Sequence, residues 1–230
     1  YIYKDGIYVY YFSDTIVKKI KDFYQNDPFP NYEFYDDRAS IQKRGDNNIY
    51  VSELKKFIGY GKNIIEIGAG TCQLSNYLAI GTNNAIVALD ANLNSLKLGQ
   101  KFSEKNNIKN INFVCADIFD QRLEESSFDF VICNGVLHHT KNSFEAFKCS
   151  QKLLKKDGYI LVGLYNSIGR IRTKIRGFLY KFLGKKFILM FDPVLRKINK
   201  TSIKKIDAWI KDQYTHPVER SHKFDEILKW

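Results

Sequence analysis

The stretch NIIEIGAGTC, residues 63–72, decides how this chain folds. Asn63–Ile67 is a short apolar run with strand character. It enters a turn holding Gly68 and Gly70, where two glycines let the backbone reverse tightly and approach a ligand closely. Outward from that turn the pattern alternates. Residues 72–80 read as a helix, 85–89 as a strand ending at Asp90, and 95–106 as a helix. Ile111–Cys115 reads as a strand running to Asp117. Residues 128–133 read as a strand ending at Asn134-Gly135, residues 143–154 as a helix, and 159–164 as a strand. Strands that alternate with helices of about ten residues require crossover connections and a parallel sheet. The expected class is therefore α/β: a doubly wound, mostly parallel sheet with helices on both faces.

The flanks differ from this core. Residues 1–48 are rich in Tyr and Phe and read as an aromatic N-terminal cap, with a short amphipathic helix over 14–23 and a loop over 27–32. Ile49–Ile58 reads as a helix and opens a core that runs to residue 166. Residues 167–230 read as a basic helical segment, a lid or substrate element, and the whole as one structural domain. The 230 residues carry 36 Lys and Arg against 25 Asp and Glu. The excess lies late: residues 148–230 hold 20 basic and 7 acidic residues, whereas residues 1–147 hold 16 and 18. Between Arg170 and Lys205 there are twelve basic residues and one acid, Asp192. In that segment Ile171, Ile175, Phe178, Leu179, Phe182 and Leu183 share a helical face, with Arg172, Lys174, Arg176 and Lys181 off it.

Some classes fall away. No apolar run approaches the ~18 to 20 residues that span a bilayer, and no secretory signal pattern opens the sequence. Cys72, Cys115, Cys133 and Cys149 form no CxxC pair and have no metal-like spacing with the four His residues. They read as reduced thiols of a cytoplasmic protein, with no metal site.

Three cofactor classes use a glycine turn after a strand. A phosphate loop needs Gly-Lys-Ser/Thr, which is missing here. The dinucleotide fingerprint wants Gly at position 73, where Gln73 stands. The third class is S-adenosylmethionine, whose ammonium, ribose diol and adenine amine all donate hydrogen bonds. Acidic acceptors suit them, and Glu66, Asp90 and Asp117 close three successive strands along one sheet edge. Each alone reads equally as a cap or turn residue; it is the joint arrangement that points to this cofactor.

These residues resemble the class I S-adenosylmethionine-dependent methyltransferases, a Rossmann-like fold. The matching stretches are IIEIGAGTCQLSNYLA (64–79), VALDAN (87–92), FVCADIFD (113–120), FDFVICNGVLHHT (128–140) and LLKKDGYILVGLYN (153–166). Within the family the chain is similar to small bacterial-type enzymes with a VLHH segment after the fourth strand of the core. The resemblance implies that Gly68, Ala69 and Gly70 pack against the methionine part of the cofactor, with Glu66 holding its ammonium. It implies Asp90, beside Ala91, on the ribose, Asp117 and Ile118 around the adenine, and Asn134 close to the sulfonium. The family commonly has a third Gly where Cys72 stands. Its sheet also normally finishes with an antiparallel pair that is not found before Trp230, so the sheet is expected to be incomplete and the chain a piece of a longer protein.

The expected activity is methyl transfer from S-adenosylmethionine to a small-molecule or metabolite acceptor, at oxygen or nitrogen. His138 and His139 follow the fourth strand and are the candidates for a general base; the structural reading gives them the shaping of that loop. His216, Pro217 and Tyr214 read either as pocket lining or as a plain turn. Cys133, inside an apolar strand, is a poor nucleophile. The basic segment suits an anionic substrate, a membrane surface or a nucleic acid, or else a lid whose apolar stripe packs on the domain or a second subunit. Two other functions compete: an RNA-modifying methyltransferase, and a non-catalytic binding protein on the same fold. A nicotinamide-dependent dehydrogenase fits least, because it leaves Asp117 without a task.

Overall fold

A computed structural model describes residues 1–10, 32–33, 36–196 and 203–230. The helix expected over 14–23 and all but the end of the loop expected over 27–32 lie outside the described residues. In chain order the strands are β1 (Ile2–Lys4), β2 (Ile7–Val9), β3 (Asn63–Ile67), β4 (Ala85–Asp90), β5 (Ile111–Cys115), β6 (Phe128–Asn134) and β7 (Leu154–Gly163). The helices are α1 (Arg38–Asp46), α2 (Ile49–Ile58), α3 (Gln73–Ala79), α4 (Leu93–Lys105), α5 (Ser143–Gln151), α6 (Ile171–Phe191), α7 (Ile203–Tyr214) and α8 (Phe224–Ile227), with a 3-10 turn at Leu137–His139.

The sheet order is β1-β2-β5-β4-β3-β6-β7, and every pair except β1–β2 is parallel. Successive strands step outward from β3 to β4 and β5, and then β6 returns to the other side of β3. That reversal opens a crevice at the carboxyl ends of β3 and β6, where ligands bind in such sheets. Alternation along each strand divides the core. Ile64, Ile86, Ala88, Phe113, Phe130 and Ile132 face one side, with Leu78 and Leu96 packed on them. Ile65, Ile67, Leu89, Val114, Val131 and Cys133 face the other, against Leu137, Ala146 and Leu153. Each fully buried Ile or Leu stabilises by about 1.5–3 kcal/mol relative to exposure.

The structure departs from the sequence reading in four places. The N-terminal residues are not only a cap: β1 and β2 form a hairpin through Asp5 (φ 51°) and Gly6 (φ 79°). Its second strand adds in parallel to β5 and buries Ile7 fully. An Asp-Gly pair suits this two-residue turn because both positions need positive φ. Next, the helix expected to reach residue 154 stops at Gln151. Leu154 instead pairs with Phe128 and begins β7, and the register shifts between Phe128 and Phe130, near Asp157 (φ 63°). Third, the segment read as helical over 167–230 is broken: residues 215–223 lie outside any helix, and only the short helix Phe224–Ile227 follows them. Fourth, the sheet expected to be incomplete reaches seven strands, through the N-terminal hairpin on the edge opposite β7; no antiparallel pair follows β7 among the described residues.

Candidate active site

The turn after β3 is held by its own backbone. The amides of Gly68 and Ala69 both donate to the carbonyl of Leu89, at 2.8 and 3.0 Å, and Cys72 N donates to Ala69 O at 2.7 Å. Gly68 has φ +71°, and a Cβ there would stand 1.8 Å from Val136 Cγ2. Glycine is therefore required twice over at that position, by conformation and by space. Cys72 adopts the left-handed conformation too (φ 59°, ψ 31°) and is fully buried. Its side chain fits because residue 99 of α4 is glycine: a Cβ on Gly99 would lie 2.7 Å from both Cys72 Cβ and Sγ. Tyr32 braces the turn from the N-terminal side. Its hydroxyl donates to Thr71 O (2.8 Å) and accepts from Asn76 Nδ2 (3.1 Å), while its ring stacks on Phe102.

The three strand-end carboxylates each bind local backbone. Glu66 accepts from the amide of Ser75 (2.9 Å) and from its hydroxyl, both on Oε2, so it ties β3 to the start of α3. Burial pushes the Glu66 carboxyl up to about 7 from its ordinary 4.5. Asp90 accepts from Gly70 N on one oxygen (2.8 Å) and from Asn92 N on the other (2.7 Å), and burial raises its pKa as well. Asp117 accepts from Phe119 N at 3.0 Å. A carboxylate oxygen has two lone pairs, so each of these groups retains acceptor capacity.

Glu66, Gly68, Ala69, Gly70, Asp90, Ala91, Asp117, Ile118 and Asn134 all line one cavity of about 590 Å³. That is within the usual range for a small-molecule site. Arg44 of α1, Asn48 at the cap between the two helices and Val51 of α2 form another part of its wall. Tyr77 lines it too. α1 lies close because residue 45 is glycine: a Cβ there would overlap the Tyr77 ring, whose hydroxyl donates to Asp46 at 2.8 Å. His139, Lys141, Tyr165 and Gln213 complete the other end.

The two histidines part company. His139 faces the cavity, and its Nδ1 lies 2.7 Å from the carbonyl of Val218. A carbonyl only accepts, so Nδ1 carries the proton and Nε2 is the basic nitrogen. Burial lowers the His139 pKa. His138 does not line the cavity. It lies almost wholly buried on the Tyr165 ring, centroids 3.9 Å apart, with neither ring nitrogen hydrogen-bonded among the described residues. Burial drives its pKa down to about 2. Residues 216–222 strap both in place: His216 stacks on His139 at 3.7 Å, and Arg220 donates its amide to His138 O at 2.9 Å. Tyr214, weighed above as pocket lining, turns the other way and donates to Asp192 at 2.5 Å. Arg170 is buried over the Tyr165 ring and pairs with Glu219 and Gln213, which joins the start of α6 to this wall. Burial also raises the thiol of Cys133 to about 12, so it stays protonated and is a poor nucleophile.

A family model described as a methyltransferase domain matches residues 58–221. The chain belongs to the methyltransferase-domain family. An uncharacterized protein of Methanocaldococcus jannaschii is 27% identical over 164 residues, covering 69% of this chain and 66% of that protein. The malonyl-[acyl-carrier protein] O-methyltransferase of Bacillus cereus is 28% identical over 134 residues, covering 57% and 48%. The matches thus span about half to two thirds of the length of these relatives. PKMT2 from Rickettsia typhi, solved in complex with AdoHcy, superposes with a TM-score of 0.59 at 15% identity, over 78% of this chain and 41% of that one. This likeness shows the shared fold.

Sequence reading missed several residues of the cavity wall. Arg44, Asn48 and Tyr165 lie far from the glycine turn in sequence. The signal for the first two was the Asp37 and Asn48 caps that start α1 and α2.

Proposed function

We propose that the protein transfers a methyl group from S-adenosylmethionine to a small-molecule acceptor in the cytoplasm, at oxygen or nitrogen. The observation that carries this reading is the convergence of Glu66, Asp90 and Asp117 with the Gly68–Gly70 turn on one cavity. The donor set fits the cofactor. Three carboxylate acceptors surround a turn that carries no Cβ at Gly68 and Gly70, and the cofactor presents an ammonium, a diol and an amine. In this reading Glu66 orients the ammonium, Asp90 the ribose hydroxyls, and Asp117 with Ile118 the adenine. Gly68, Ala69, Gly70 and Ala91 give close backbone contact, and Asn134 stands beside the methionine part. S-adenosylmethionine supplies the electrophilic methyl carbon; the chain supplies alignment and a proton acceptor.

His139 is proposed as that acceptor, because its Nε2 is the unprotonated nitrogen and its ring faces the cavity. His138 is assigned to holding the turn against Tyr165.

The test is thermal unfolding with S-adenosylmethionine, S-adenosylhomocysteine and NAD, on the native chain and on Asp90→Asn. A ligand at about one hundred times its Kd stabilises by about 2.7 kcal/mol, or ~5–10 °C for a chain of this size. A shift with the two methionine-derived ligands, absent with NAD and much reduced in Asp90→Asn, is expected. A shift with NAD alone, or with nothing, refutes the reading.

A further inference from the structure

The first part of α6 is turned inside out. At 100° per residue, Ile171, Ile175, Phe178 and Phe182 fall within one narrow stripe, and they are 50, 54, 62 and 72% exposed. The side that packs inward carries Tyr180 instead, against Tyr214. Past Gly184, where the helix kinks (φ 69°), Phe187 and Ile188 pack on Leu195, Ile206 and Ile210. The apolar stripe therefore does not cover the domain, contrary to the lid reading. Phe178 and Phe182 lie beside each other on this face, ring centroids 5.1 Å apart.

Charge surrounds this stripe. The same helical arithmetic puts Lys174 and Lys181 along one flank and Arg172 along the other. No carboxylate pairs with Arg172, Lys174, Lys181 or Lys186 among the described residues. Residues 158–191 contain no acid at all. The next acid, Asp192, is buried and engaged with Leu195 N, Trp209 Nε1 and Tyr214 Oη, and Asp207 of α7 pairs with Lys185, off the stripe. Neither therefore offsets the exposed cations.

We propose that this face of α6 docks on the surface of a bilayer bearing anionic headgroups. The Ile and Phe side chains would enter the headgroup–acyl boundary, and the flanking Arg and Lys would reach headgroup phosphates. The stripe, Ile171 to Phe182, rises about 17 Å along the helix axis. That is too short to cross a bilayer, and no helix among the described residues is long and apolar enough to do so. A helix at this interface lies in the plane instead. A second copy of the chain is disfavoured, because two such faces would bring their cations together without acids between them. Nucleic acid is disfavoured because it offers the apolar stripe nothing to enter. The inference stands whether or not the cavity takes S-adenosylmethionine.

Flotation with vesicles tests it. The full chain is mixed with vesicles of phosphatidylcholine alone, or of equal parts phosphatidylcholine and phosphatidylglycerol, at about 0.1 M and about 0.5 M NaCl. The expected result is binding to the anionic vesicles, weakened by salt, with the neutral ones more than about tenfold weaker. The double variant Phe178→Ser/Phe182→Ser should lose more than about tenfold in partitioning, and Arg172→Glu/Lys181→Glu likewise. All four residues are exposed, so an unchanged melting temperature checks folding. Equal binding to neutral vesicles, no binding to anionic ones, or full binding by either variant overturns the proposal. So does a dimer seen by light scattering that Phe178→Ser/Phe182→Ser dissolves, or retention of a mixed RNA in place of vesicles.

Discussion

Replacing Glu66 by Gln should make the protein more stable at alkaline pH and less able to hold its cofactor. Glu66 sits at the end of β3, buried, with its carboxyl raised from 4.5 to about 7. Below pH 4.5 the folded and unfolded chains both keep the proton. Between 4.5 and 7 the unfolded chain gives it up while the folded chain retains it, so stability falls as pH rises. Above about 7 both states are ionised and the cost is constant. From pH 5 to pH 8 the loss comes to about 2.5 kcal/mol, or ~5–10 °C in Tm for a chain of this length. Gln has the same shape, its amide oxygen still accepts from Ser75, and it does not titrate. The Tm of Glu66→Gln minus that of the native chain should therefore widen by that amount between pH 5 and pH 8. Scanning calorimetry across that range reads it directly. A difference that stays flat with pH would mean that Glu66 is ionised in the fold at pH 5, and the account of its burial would be wrong. In binding the sign reverses. Loss of a charged acceptor costs about 1.5–3 kcal/mol, so S-adenosylhomocysteine should bind roughly ten- to a hundredfold more weakly.

Two further outcomes check the packing around this site. Gly99→Ala should destabilise by about 1–3 kcal/mol through overpacking, because its new Cβ meets Cys72 Cβ and Sγ at 2.7 Å. In a Cys72→Gly background the same change should cost less, and urea denaturation of the four chains measures that coupling. His138→Phe should keep or raise stability, by up to about 1 kcal/mol, since it replaces a buried ring whose nitrogens have no partner among the described residues. Because His138 stays neutral down to about pH 2, the pH–rate profile of that variant should match the native one. A lost limb in the profile would return His138 to the chemistry.

What the sequence determined by itself is the α/β core and the cofactor end of the cavity. Strand and helix periods are local, and Glu66, Gly68, Gly70, Asp90 and Asp117 sit at strand ends whose common edge follows from parallel topology. The antiparallel addition at the N-terminus was also local, in Asp5-Gly6, although three-residue strands carry little periodic signal. What only tertiary structure decided depends on distant residues meeting. Cys72 is admissible in a glycine conformation because α4 supplies Gly99 across from it. His138 and His139 are adjacent in sequence and both buried under the strap at residues 216–222, yet only His139 lines the cavity. The stripe on α6 reads as a packing face from its period alone. Which side of an amphipathic helix is covered depends on what lies against it, and here α7 takes the Tyr180 side and leaves Phe178 and Phe182 in the open.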